Sequence, residues 1–168
     1  ASLGPLMHDQ TVVLPAINGV PWWFCHGLGH LSPALVPRLT SVDPDGSLEA
    51  HLDSKRIVGC VVHASASVQA PGTVHHRAGN MLIVGEPDGT MTPRLAQVQA
   101  RLSEAGFDVE ATARIRQAIW YKLWGNLTMN PASALTRATM DKMLEDPLVR
   151  AMCSRAMLEA ATIGERLG

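Results

Sequence analysis

The sequence predicts an α/β fold, because strand-forming sequence fills residues 1–111 and helix-forming sequence fills residues 112–168. Residues 11–17 form a short apolar run of the kind found in buried parallel strands. Residues 57–67 alternate in polarity and are rich in β-branched side chains, which favours a second strand. In the second half apolar residues recur at helical spacing, and prolines mark the helix starts.

The predicted elements of the first half follow the turn signals. Asn18 and Gly19 end the first strand, and residues 31–56, with an Asp-Pro-Asp-Gly turn, form a connection with at most one short helix. After residues 57–67, turns at Pro71-Gly72 and Gly79-Asn80 predict an antiparallel meander. The meander continues with strands at residues 73–77 and 81–84. A helix is then expected at residues 92–105, followed by a last short strand at residues 107–111.

Three helices are predicted in the second half. The first is expected to begin after Thr112 as N-cap and to end at Asn130, before Pro131. The second begins at Pro131, with Asn130 as its N-cap. The third begins at Asp146-Pro147 and ends at Gly168.

Lys122 and Asn126 are polar residues four positions apart on an otherwise apolar stripe of the first of these helices. At about 100° per residue they share one stripe with Ile115, Ile119 and Met129, and the helix is apolar on nearly every side. One interpretation is a lysine that extends to the surface with Asn126 beside it. The other is a pocket in which the ammonium gives a proton and the amide fixes a carbonyl or hydroxyl.

Composition argues against several classes of protein. The 168 residues are 46% hydrophobic, enough for a core, and the net charge is −1 with no basic run, so no nucleic-acid partner is expected. No apolar stretch reaches the ~18 residues that cross a membrane, and the first ten residues do not form a signal peptide. The three cysteines are far apart in the sequence and odd in number, so neither a disulfide framework nor a Cys-x-x-Cys site is expected. A reducing cytoplasm is therefore the expected location.

Two weaker motifs are set aside. Gly27-Leu28-Gly29 lacks the third glycine and the preceding strand of a dinucleotide-binding loop. His26 and His30 are four residues apart, but two glycines make a rigid helix there unfavourable and the glutamate of a His-Glu-x-x-His site is missing. No metal site is therefore expected. The remaining histidine of interest, His63, is interpreted as a hydrogen-bonded strand residue.

Taken together, several segments resemble the ketopantoate reductase (2-dehydropantoate 2-reductase) family, in a form common among bacteria. The resemblance covers essentially the whole chain, and its most specific part is Ile119-Trp-Tyr-Lys-Leu-Trp-Gly-Asn126. The other segments that carry it are residues 16–23, 42–46, 56–60, 85–87, 115–116, 130–131 and 134–136.

The resemblance implies a function and a set of site residues. It implies NADPH-dependent reduction of 2-dehydropantoate to pantoate, with Lys122 as the general acid that protonates the ketone oxygen. Asn126 and Asn130 match asparagines that bind the substrate, and Asn18 matches an asparagine beside the nicotinamide. A small 2-keto acid is the implied substrate, and a homo-oligomer is one implied assembly.

The resemblance also implies a domain division. Residues 1–111 correspond to the latter part of a Rossmann-type NADP-binding domain with an antiparallel extension, and residues 112–168 to the start of an all-α domain. The family's glycine-rich loop and the later part of its helical domain have no counterpart, so this stretch alone is expected to be inactive. Two alternatives stay open: a reductase of another 2-keto acid, and a non-catalytic interaction module.

Overall fold

A three-stranded sheet followed by helices forms the structure, a computed structural model that describes residues 3–28 and 38–168. The α/β prediction is therefore confirmed. Gly29 and His30, which belong to the two motifs set aside above, lie outside the described residues. The strands are β1 (Gly59–Ala70), β2 (Thr73–Gly85) and β3 (Asp108–Ala111). The helices are α1 (Ser47–His51), α2 (Pro93–Glu104), α3 (Ile115–Leu127), α4 (Met129–Thr136), α5 (Met140–Glu145) and α6 (Pro147–Leu167).

The strand order in the sheet is β1-β2-β3. β1 and β2 are antiparallel, and β2 and β3 are parallel. The strand predicted at residues 11–17 is reduced to one parallel bridge, between Val13 and Ile57. The bridge is made by the Val13 N–H to the Arg56 carbonyl and by the Val58 N–H to the Val13 carbonyl. It anchors the segment that leads to Asn18 beside the start of β1.

The predicted turn at Gly79-Asn80 is wrong. β2 runs without interruption from Thr73 to Gly85, and the register with β1 shifts between His63 and Ser65. Gly79 has φ 78°, and a Cβ at that position would lie 2.4 Å from the carbonyl oxygen of His63. Because glycine alone tolerates both conditions, the chain absorbs the extra residue as a β-bulge instead of turning back.

Each face of the sheet has its own apolar cluster, and alternation along residues 57–61, which lead into β1, assigns the faces. Ile57 and Val61 pack with Ile115 and Ile119 of α3 and with the buried Trp22 and Trp23. Val58 and Cys60 point to the other side, toward Leu82, Val84 and Leu95 of α2. α3 is less buried than its composition suggests, because Tyr121 is 75% exposed.

The helix boundaries differ from the predictions at three places. α3 begins after Arg114, whose N–H bonds to the Thr112 hydroxyl, so Thr112 is not the N-cap. The helix ends at Leu127 instead of Asn130, and α4 begins at Met129 after Thr128, so Asn130 is not an N-cap either. The Thr128 hydroxyl bonds back to the carbonyl of residue 124, where the helices meet.

The last two helices are separated by a short break. α5 was not predicted as a separate helix. α6 begins as predicted, since the Asp146 carboxylate accepts from the N–H groups of Leu148 and Val149.

A buried ion pair fixes α2 against the end of β2. Glu86 is 2% exposed and accepts hydrogen bonds from the Arg94 guanidinium at 2.8 Å to Oε1 and 2.5 Å to Oε2. Thr92, the N-cap of α2, also donates to Glu86. Burial acts to raise the pKa of Glu86, but the hydrogen bonds from Arg94 and Thr92 outweigh it and lower that pKa. Within the described residues, no helix is long and apolar enough to cross a membrane.

Candidate active site

Lys122 reaches from α3 to the edge of the sheet. It follows Ile115 and Ile119 on the stripe of α3 that packs on β1, and its side chain is partly buried. Its Nζ donates to Oδ1 of Asn18 at 2.8 Å and to the carbonyl oxygen of Val62 in β1. The ammonium is thus held between two acceptors that come from segments 104 and 60 residues away in sequence.

The surroundings of Lys122 make it a stronger acid. Burial lowers the pKa of Lys122, and the nearby Cys60 opposes this shift. The same burial raises the pKa of the Cys60 thiol, while the charge of Lys122 acts to lower it. A lysine with a lowered pKa gives up its proton more readily, which suits a proton donor.

Asn126 and Asn130 are joined by a hydrogen bond. Although the helix breaks between them, Nδ2 of Asn130 donates to Oδ1 of Asn126 at 2.8 Å. The amide oxygen of Asn126 is therefore engaged, and its NH₂ group can donate to a ligand oxygen. Asn126 lies one turn after Lys122 on the same stripe of α3, so an ammonium and an amide donor face the same side.

All four predicted site residues line one pocket of about 450 Å³. The structure therefore brings Asn18, Lys122, Asn126 and Asn130 together. Their neighbours in the wall are Ala16, Val62, His63 and Ala64. No aspartate or glutamate is among these lining residues. A pocket wall that offers hydrogen-bond donors and no carboxylate favours a ligand that presents oxygen acceptors or a negative charge.

The contribution of β1 was missed by the sequence analysis. His63 was interpreted only as a strand residue, yet it lines the pocket beside Lys122. Alternation provided the signal: Val61 faces α3, so the side chain two residues later faces α3 as well. What the sequence could not provide was the position of α3 along that face.

A larger cleft of about 660 Å³ lies on another side of α3. Its wall includes Phe24, Trp120 and Trp124, and Arg116 holds the loop by donating to the carbonyls of Phe24, at 2.7 Å, and His26. Trp120 donates to the Ala160 carbonyl of α6 at 2.9 Å. These contacts join α3 to α6 and to the loop that contains Phe24 and His26, so the aromatic side chains here serve packing.

Both the sequence and the fold of this chain are similar to those of known proteins. Residues 114–168 match the family model described as Ketopantoate reductase PanE/ApbA C terminal. A curated 2-dehydropantoate 2-reductase from Mesorhizobium japonicum is 40% identical over 166 residues, which are 99% of this chain and 50% of that protein. A crystal structure from Ralstonia solanacearum MolK2, assigned as a ketopantoate reductase, is 44% identical with a TM-score of 0.90, covering 98% of this chain and 50% of the other.

A more distant structure shares the fold alone. D-mandelate dehydrogenase, solved in complex with NADH, has a TM-score of 0.73 at 16% identity, covering 97% of this chain and 47% of the other. The chain thus spans about half the length of the proteins it matches. Because nearly every residue aligns with a 2-dehydropantoate 2-reductase at 40% identity and the helical part matches the family model, the chain belongs to the ketopantoate reductase family.

Proposed function

We propose that the protein containing this chain reduces 2-dehydropantoate to pantoate with NADPH. The observation that carries the proposal is the meeting of Asn18, Lys122, Asn126 and Asn130 in one pocket that, among the residues the structure describes, no carboxylate lines. A 2-keto acid has a carboxylate and a ketone oxygen, both of which need donors. The relative named 2-dehydropantoate 2-reductase supports the choice of substrate. The choice of NADPH over NADH is what the family resemblance implies.

In this proposal Lys122 is the general acid. Reduction of a ketone develops negative charge on its oxygen, and a positioned ammonium can supply the proton as that charge appears. The acceptors Asn18 and Val62 hold Nζ in place before substrate arrives, which reduces the entropy lost in reaching the reactive geometry. The lowered pKa of Lys122 brings its acidity closer to that needed near neutral pH.

The two further asparagines bind the substrate. The NH₂ group of Asn126 donates to a substrate oxygen, and Asn130 keeps Asn126 in that orientation through the hydrogen bond between them. Within the described part of the chain, the second N–H and the amide oxygen of Asn130 make no hydrogen bond, so both can contact the hydroxyl-bearing end of the substrate.

Asn18 fits the nicotinamide end of the cofactor. It lies after the segment that bridges β1 in parallel, and ligands of α/β folds lie beyond the carboxyl ends of such strands. Its side chain is exposed, and its oxygen accepts from Lys122, which leaves the NH₂ group to bind a cofactor carbonyl. When bound, the reduced nicotinamide supplies the hydride.

The match of residues 114–168 to a family model described as a C terminal supports a proposed domain division. We assign residues 1–111 to the latter part of a Rossmann-type NADP-binding domain and residues 112–168 to the start of the helical domain. The boundary falls between β3 and α3, where strand-forming sequence gives way to helices. Cytoplasmic location and a homo-oligomer stay predictions.

An activity assay of the full-length protein tests the proposal. NADPH oxidation is followed at 340 nm with 2-dehydropantoate, pyruvate and 2-oxoisovalerate, and each rate is repeated with NADH. We expect 2-dehydropantoate to have the highest kcat/KM and NADPH to be preferred. Faster reduction of another keto acid would favour the alternative reductase, and no reduction of any keto acid would reject the proposed function.

A further inference from the structure

His63 lines the same pocket as Lys122, Asn126 and Asn130. β1 alternates, with Val61 packed in the cluster that contains Ile119 and Val62 packed in the cluster on the other face. The register to Met81 is regular up to His63, so the imidazole lies on the face that α3 covers. On α3, Lys122 lies one turn after Ile119 and on the same face. On β1, His63 lies two residues after Val61 and also on the same face.

The β-bulge fixes the backbone beside His63. Gly79 adopts φ 78° directly against the His63 carbonyl, and its own carbonyl contacts Nε2 of His76 at 2.5 Å. Asn80 donates to the Gly106 carbonyl at 2.7 Å, which ties the bulge to the turn before β3. Bulges near active sites commonly redirect a neighbouring side chain, and here three local contacts hold that geometry.

The hydrogen-bond donors that line the pocket differ in whether they already have an acceptor. Lys122 already contacts Asn18 and Val62, and in the proposed function it serves the ketone oxygen. Asn130 gives one N–H to Asn126. His63 makes no side-chain hydrogen bond within the described part of the chain, and an imidazole donates an N–H in either protonation state. A carboxylate entering the pocket would therefore find an uncommitted donor at His63.

We propose that His63 binds the carboxylate of the 2-keto acid and so contributes to selection of keto acids over simple ketones. This inference rests on the proposed function and adds a residue from β1 to the site. A hydrogen bond to a charged group is strong enough that its loss should weaken substrate binding about tenfold or more.

Kinetics of three variants of the full-length protein test the inference. His63→Leu removes the donor at similar size, His63→Gln keeps a side-chain N–H, and His75→Leu removes an exposed histidine from the neighbouring strand, outside the pocket. Each is assayed with 2-dehydropantoate and with its methyl ester, and thermal melts check that the variants fold.

We expect His63→Leu to raise KM for the acid about tenfold or more, with kcat within about twofold and the ester unaffected. His63→Gln should recover most of the lost affinity, and His75→Leu should behave as the unaltered protein. Equal losses on acid and ester, an unchanged KM, or a loss confined to kcat would overturn the role of His63 alone. A protein that reduces no keto acid would overturn the proposed function and this inference with it.

Discussion

Replacing Lys122 with methionine removes the ammonium group but keeps a side chain of similar length. The change breaks the hydrogen bonds from Nζ to Asn18 and to the Val62 carbonyl. If Lys122 donates the proton, kcat should fall about 10²-fold or more, the scale of general-acid catalysis. KM for NADPH should change little, because Lys122 has no part in holding the dinucleotide phosphates.

The effect of Lys122→Met on stability should be small. Two hydrogen bonds are lost, but burial of the ammonium disfavours its charged form, as the lowered pKa of Lys122 indicates. These contributions oppose each other, so the free energy of unfolding should change by about 1 kcal/mol or less. A large loss of activity without a loss of stability separates a catalytic role from a structural one.

The pH dependence of kcat and of stability provides a second, independent test of the role of Lys122. The ammonium must be protonated, so kcat should decline as pH rises, with an apparent pKa below the ordinary lysine value of 10.5. Over the same interval the unfolded chain binds more protons at this residue than the folded chain does, so the contribution of Lys122 to stability rises with pH. Activity and that contribution should therefore change in opposite directions.

Steady-state rates across pH and thermal melts provide the assay. Lys142→Met is the matched control, because Lys142 is an exposed lysine of α5 paired with Glu145. It should leave kcat and its pH profile unchanged. Near-normal turnover by Lys122→Met, or a decline at high pH that persists in it, would refute the assignment of Lys122 as the acid.

Two further predictions concern the buried ion pair and the asparagines. Glu86→Gln should lower the free energy of unfolding by about 2 kcal/mol, because it leaves Arg94, whose side chain is 35% exposed, with a weaker partner. Glu104→Gln removes the charge from an exposed pair and should have almost no effect in the same denaturant titrations. Since the pKa of Glu86 is lowered, its stabilising contribution should be present above the ordinary carboxyl pKa and be lost as pH falls through the folded value. Asn126→Ala should raise KM for the keto acid more than Asn130→Ala does, and each should leave stability within about 0.5 kcal/mol, as neither caps a helix; a cap-sized loss of about 1 kcal/mol for Asn130→Ala would contradict this.

Periodicity predicted the elements that local sequence determines. The stripe of Ile115, Ile119, Lys122 and Asn126 and the helix start at Asp146-Pro147 follow from residue spacing and side-chain chemistry, and both agree with the structure. The meeting of Asn18 with Lys122 could not be predicted from spacing, because 104 residues separate them. The family resemblance implied that both residues belong to the site, but the hydrogen bond between them was not predicted.

The errors arose where tertiary contacts override local signals. Pro131 and Asn130 resemble a helix start, but the helix is interrupted earlier, at Thr128. The Thr128 hydroxyl donates a hydrogen bond back to a carbonyl of α3. Gly79-Asn80 resembles a turn, but pairing with β1 makes a bulge instead. The role of His63 depends on where α3 crosses β1, and no pattern within either segment contains that information.

A crystal structure of the full-length protein with NADP⁺ and pantoate tests the central claim most directly. We predict that the pantoate hydroxyl, which derives from the ketone, lies about 2.7–3.2 Å from Nζ of Lys122. Asn126 should donate to the same ligand, and the nicotinamide should lie beside Asn18. Pantoate bound away from these residues, for example in the cleft beside Trp120, would contradict the account.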